Sequence, residues 1–169
     1  MFLSGVASPA LASPVTAGIN SDFPPYEFVD AKGNPDGFDV ELLSAAAQAS
    51  GLKIRFVPGP WEQVRRDFEA GRLDLLAGML RSKDRDRYAD FSSPCLVVLY
   101  GIFIRKGTDG IRVLDDLRGR RILVEEGSQM HEHLASLGFA KEIVPVSSEP
   151  SALKLLAQGS GDAALVPLL

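Results

Sequence analysis

An arginine, three aromatics and a glycine-serine step are the residues in this sequence whose types and spacing could do chemistry. Arg85 stands just past a Gly78-Met79-Leu80-Arg81-Ser82 loop, where a guanidinium can offer two parallel N–H donors to a carboxylate. By spacing alone the plainer reading is a surface salt bridge with Asp84, Asp86 or Asp90. Gly127-Ser128 joins an apolar run to a helical pattern. The free N–H groups of that first helical turn, with the serine hydroxyl, make an anion site, or Ser128 simply caps its own helix. Phe23, Tyr26 and Trp61 each follow a strand pattern or open a helix, positions that either wall a cleft or pack a core.

Other chemistries are poorly supported. His131 and His133 are two apart, so on a helix they point to different sides and cannot share a metal. There is no H-E-x-x-H pattern, cysteine pair, phosphate-cradling glycine loop or dinucleotide fingerprint, and no cofactor is implied. Glu125-Glu126 and Asp115-Asp116 read as solvated or capping carboxylates rather than acid/base couples. Glu126 is the one carboxylate worth testing for catalysis. Cys95, the single cysteine, reads as a small buried apolar residue.

The elements that would position these groups alternate. Strands are expected at Val15–Asn20, Lys53–Val57 and Leu73–Ala77, with helices at Phe38–Ala49, stopped by Gly51, and at Trp61–Ala70. Tyr26–Val29 is a short extended run, followed by a turn at Gly33–Gly37. A long apolar segment, Cys95–Ile104, suits a connection that leaves one lobe and enters another, and Val113–Leu117 is a short helical piece. The pattern then restarts. Strands are expected at Arg121–Glu125, Glu142–Val146 and Asp162–Val166, with helices from Ser128 to Gly138 and, capped by Ser147-Ser148, through Ala157. This alternation implies mainly parallel sheets, outside whose carboxyl ends ligands sit.

Apolar residues make up 46% of the chain, enough for a real core, and the net charge is −4. Basic residues are scattered among acids, which argues against a nucleic-acid partner. The stretch Phe2–Ala12 resembles the end of a secretory signal.

Several spaced motifs occur in one order: Asp22-Phe23-Pro24-Pro25-Tyr26-Glu27-Phe28, Gly37-Phe38-Asp39-Val40-Glu41-Leu42, Gly71-Arg72-Leu73-Asp74, Gly78-Met79, Ser82-x-x-Arg85, Phe91-Ser92-x-Pro94, Leu117-Arg118-Gly119, Glu126-Gly127-Ser128 and Gly161-Asp162-Ala163-Ala164. Together they resemble the periplasmic solute-binding proteins of family 3, the amino-acid-binding kind, over about residues 15–169. The resemblance implies an α/β, two-lobed clamshell of the periplasmic-binding-protein type II, here lacking its C-terminal return segment. It divides the chain into a signal remnant or chain edge at 1–14, a first lobe at 15–94, a crossover at 95–107 and an incomplete second lobe at 108–169.

The resemblance also implies site roles. Arg85 would grip a ligand carboxylate, Ser128 and the N–H groups beside Gln129 would hold it from the other lobe, and Phe23 and Trp61 would sandwich the ligand. Asn20 lies where a residue reading the ligand side chain often sits, and Gly78 and Leu80 line the loop. Pro167 takes the position where family members place an ammonium-binding Asp, and Leu80 replaces a hydroxyl donor. The expected ligand is therefore a small anionic, carboxylate-bearing metabolite, or an amino-acid-like molecule, bound without chemistry. The family implies an extracytoplasmic location. Its members act as sensor modules of membrane-embedded histidine kinases, as receptors of ABC permeases or, less commonly, as dehydratase-like enzymes. Unpaired sheet edges would favour a homodimer.

Overall fold

The computed structural model describes residues 13–168; the expected signal remnant falls largely outside them. The apolar run Val15–Asn20 forms β1, the centre of the first lobe's sheet. It pairs in parallel with β5 (Ile54–Gly59) over its whole length and with β6 (Leu75–Leu76) on its other side. Between β1 and β5 the chain builds a small antiparallel ribbon of β2 (Asp22–Phe23), β3 (Glu27–Val29) and β4 (Pro35–Asp36), where an extended run and a turn are expected from sequence. Helix α1 (Phe38–Ser50) follows and ends at Gly51 in the left-handed conformation.

Helix α2 (Trp61–Glu69) buries Trp61 and Val64. Its close seat on β1 depends on Gly18, where a Cβ would run into Val64, Leu73 and Leu76. The third strand is shorter than the expected Leu73–Ala77, because only Leu75 and Leu76 pair with β1. Arg85–Arg87 then form a single 3-10 turn.

The long apolar run resolves into irregular chain followed by β7 (Leu99–Phe103). Val97 is 84% exposed, and Cys95 is exposed rather than buried. Its neighbours belong to no strand, so no sheet covers it.

The second lobe carries β8 (Ile122–Glu125), α3 (Gln129–Ser136), β9 (Ile143–Val146), α4 (Glu149–Ala157) and β10 (Ala163–Leu168), in sheet order β7-β10-β8-β9. All neighbours are parallel except β7 and β10, whose antiparallel pairing sets Tyr100 opposite Pro167. Apart from Glu125 at the end of β8, the strands are apolar because both faces are covered. Ile122, Val124, Ala163 and Leu165 pack with Leu134 and Phe139 on one side. Leu123, Ala164 and Val166 pack with Ala152 and Leu156 on the other. Ser128 and Ser148 cap α3 and α4 by accepting from the backbone N–H of His131 and Ser151, which satisfies donors that the first turn leaves free.

Candidate functional site

The carboxyl ends of β1 and β8 face each other across the gap between the lobes. Asn20, last in β1, donates from Nδ2 to Oε1 of Glu125, last in β8, at 2.9 Å. Three more residues join the lobes. Trp61 Nε1 donates to the Gly127 carbonyl at 2.8 Å, Gln129 Nε2 donates to the Arg81 carbonyl at 2.8 Å, and Arg85 reaches both Gly127 and Glu132. The clamshell is closed.

Arg85 is 1% exposed, the largest fully buried side chain among the described residues. The surface salt bridge with its neighbours does not form. The 3-10 turn carries the guanidinium inward, where Nε donates to Glu132 at 3.1 Å and the two terminal nitrogens donate to the carbonyls of Leu80 (3.0 Å) and Gly127 (3.1 Å). It also lies over the Trp61 ring, 5.5 Å from its centroid. A guanidinium has five N–H donors, so two remain after these three bonds.

Between the lobes lies a cavity of about 780 Å³, and Asn20, Phe23, Trp61, Gly78, Leu80, Arg85, Ser128 and Gln129 all line it. Phe23 packs against Tyr26 with ring centroids 5.1 Å apart, while one face of Trp61 is taken up by Arg85. The Leu80 carbonyl accepts from Arg85 and so helps to hold the guanidinium in place. Gly78 leaves room for Asp39, whose carboxylate a Cβ there would strike. Ser128 caps α3 and lines the cavity as well.

Sequence reasoning missed the groups that set the cavity's charge. Glu27, Asp39, Glu125 and Glu149 are all buried and all line it. Burial pushes Glu149 up to about 8, with repulsion from Glu125 added. Burial likewise raises Glu125 to about 7, against the pull of the Asn20 amide, and raises Asp39 to about 6. Glu27 is held well above the usual carboxylate range by burial and by nearby Asp39 and Glu125. One carboxylate oxygen of Glu27 and one of Glu149 are buried with no hydrogen-bond partner.

This corrects one expectation. Glu125 is not a solvated carboxylate, because Asn20 of the opposite lobe covers it; the exposed member of the pair is Glu126, which lines a smaller cavity beside Glu62 and His131 instead. A purely anionic ligand, in turn, would enter a space walled by four buried acids, and such burial penalises added negative charge. A signal was present in the sequence: Glu125 ends a strand that is otherwise wholly apolar, and Glu149 follows the capping serine of α4. Asp116, by contrast, accepts from the backbone N–H groups of Arg112 and Val113, as a capping carboxylate should.

Residues 15–165 match the family model for bacterial extracellular solute-binding proteins, family 3, and the chain belongs to that family. It is 35% identical over 100 residues to a probable histidine-binding protein of Neisseria gonorrhoeae, covering 59% of this chain and 37% of that protein. It is 27% identical over 154 residues to the L-cystine-binding protein TcyJ of Escherichia coli, covering 90% and 58%. The chain thus spans little more than half of these relatives at most. Among solved structures, it matches a histidine kinase sensor domain with similarity to periplasmic binding proteins at TM-score 0.88 and 37% identity, covering 92% of this chain and 68% of that one. The family is extracytoplasmic, and no helix among the described residues is long and apolar enough to cross a membrane.

Proposed function

We propose that this chain is the ligand-binding module of an extracytoplasmic receptor, closing two lobes over an amino-acid-like metabolite without chemistry, as the sensor input of a signal-transduction protein. The observation that carries the reading is the convergence of Arg85, Trp61 and Asn20 of one lobe with Gly127, Ser128 and Glu125 of the other around one cavity. A ligand that joins these surfaces favours the closed state by its differential contacts, which is what a hinge switch requires. The two remaining donors of Arg85 suit a carboxylate, and Ser128 stands opposite them at a helix N-terminus. Support for a sensor role is the higher identity, over more of the chain, to the histidine kinase sensor domain than to the histidine-binding and L-cystine-binding proteins. A solute receptor for an importer is the competing reading, and it shares the same site.

Calorimetric titration with a panel of amino acids tests the binding claim. Two charge-assisted hydrogen bonds at about 1.5–3 kcal/mol each imply that Arg85→Ala weakens binding at least roughly 100-fold. Unchanged affinity removes Arg85 as anchor. For the signalling claim, the ligand should alter autophosphorylation of an attached kinase in the full-length protein; a full-length protein with no such domain refutes it.

A further inference from the structure

Two acids of the second lobe face the cavity with no cation to meet them. Glu125 ends β8, and Glu149 opens α4. They are 4% and 6% exposed, and an oxygen of Glu149 is buried without any hydrogen-bond partner. Both arginines of the cavity wall are already engaged, Arg85 by Glu132 and two carbonyls and Arg81 by Asp86. No group of three or more His, Cys, Asp or Glu among the described residues is arranged to hold a metal ion. We propose that Glu125 and Glu149, steered by Asn20, form a subsite for a cationic nitrogen of the ligand, so that this module selects a basic amino acid over a neutral or acidic one. The proposal rests on the amino-acid-like reading above and names the substrate class and the residues that choose it.

The chemistry follows from what faces the pair. Around it stand Asp22 after β1, Glu27 on β3, Asp39 on α1 and Tyr100 on β7, with Arg85 and Arg81, the latter paired with Asp86, as the cations of the cavity wall. A guanidinium or ammonium placed between Glu125 and Glu149 would satisfy the unpartnered oxygen and neutralise the repulsion between the two carboxylates. It would also offset the acids behind them. A second carboxylate on the ligand would add to that repulsion. Both acids sit on the lobe opposite Arg85, so a molecule bearing a carboxylate at one end and a cation at the other would bridge the lobes.

Titration with L-arginine, L-glutamate and putrescine separates the possibilities, run at pH 6 and pH 8.5 in buffers of low and high ionisation enthalpy. Arginine should bind, more than about tenfold tighter at the higher pH, where the carboxyls are ionised, and should release protons, seen as a buffer-dependent heat. Glu125→Gln and Glu149→Gln should each weaken arginine at least roughly tenfold and flatten its pH dependence. Both are neutral isosteres of groups that burial favours in the neutral form, and circular dichroism should show the wild-type fold in each. Tighter binding of putrescine than of arginine would support the acidic subsite while removing the ligand carboxylate from Arg85. Glutamate binding tighter than arginine in an Arg85-dependent manner would overturn the subsite and leave the amino-acid reading standing. Arginine affinity unchanged in both glutamine variants, or no arginine binding at either pH, would overturn it as well.

Discussion

Replacing Glu149 by glutamine should change how the ligand-free chain's stability depends on pH. The carboxyl has an ordinary pKa of 4.5 and is raised to about 8 in the fold by burial and by Glu125. Between those values the folded chain holds a proton that the unfolded chain has released. Its stabilising contribution is therefore complete below about pH 4.5 and is lost as pH rises toward 8. At about 1.4 kcal/mol per pH unit, the loss from pH 5 to pH 8 is about 3 kcal/mol for this group. In a chain of this size that corresponds to roughly 6–12 °C in midpoint temperature. Glu125, raised to about 7, and Asp39, raised to about 6, add slopes of the same sign that persist in the variant. Denaturant unfolding of the wild type and Glu149→Gln, at half-unit steps from pH 5 to 8.5, should show the variant's curve flatter by about that amount. Curves that run parallel, or a steeper one in the variant, would refute the assignment of Glu149 as a carboxyl kept neutral by the fold.

Gly127→Ala should destabilise the closed state, because φ at Gly127 is +69° and the added methyl meets the Glu62 carboxylate of the opposite lobe. The left-handed conformation alone costs about 1–2 kcal/mol, and the single tryptophan, Trp61, which donates to this residue's carbonyl, should emit at longer wavelength; unchanged emission and unfolding temperature would count against the latch. Leu134→Ala, fully buried between α3 and the second sheet, should cost about 2–5 kcal/mol in denaturant unfolding, and a loss below about 1 kcal/mol would mean that the core of that lobe is not packed as described.

Elements whose signals are local were legible in the sequence. The apolar runs of β1, β8 and β10, the serines capping α3 and α4, and the stop at Gly51 need no knowledge of distant partners. What was illegible depends on distant ones. The antiparallel turn of β7 is set by β10, some 60 positions later. Strands of two residues, as in β2 and β4, are too short to carry a period. Arg85 has acids on either side in sequence, yet its ion pair is with Glu132, 47 residues away. Glu125 accepts from Asn20, 105 residues earlier, which closes over it from the other lobe. All eight residues singled out from the motifs line one cavity, but the charge of that cavity is a property of closure, and no single stretch of chain encodes it.

That charge bears on how a binding module could discriminate among ligands. In the closed structure Arg85 is neutralised from the α3 side by Glu132 and Arg81 by Asp86, leaving Glu27, Asp39, Glu125 and Glu149 without a cation to balance them. Closing the empty cleft near neutral pH therefore favours proton uptake by these acids, whereas closing it over a cation allows them to ionise. The two routes differ by the protons exchanged, so ligand charge and closure are linked thermodynamically. An anion would have to close the cleft against the same acids, with only the two spare donors of Arg85 and the N-terminus of α3 in its favour. The balance of those forces, rather than the presence of Arg85 alone, decides which metabolites can hold the lobes together.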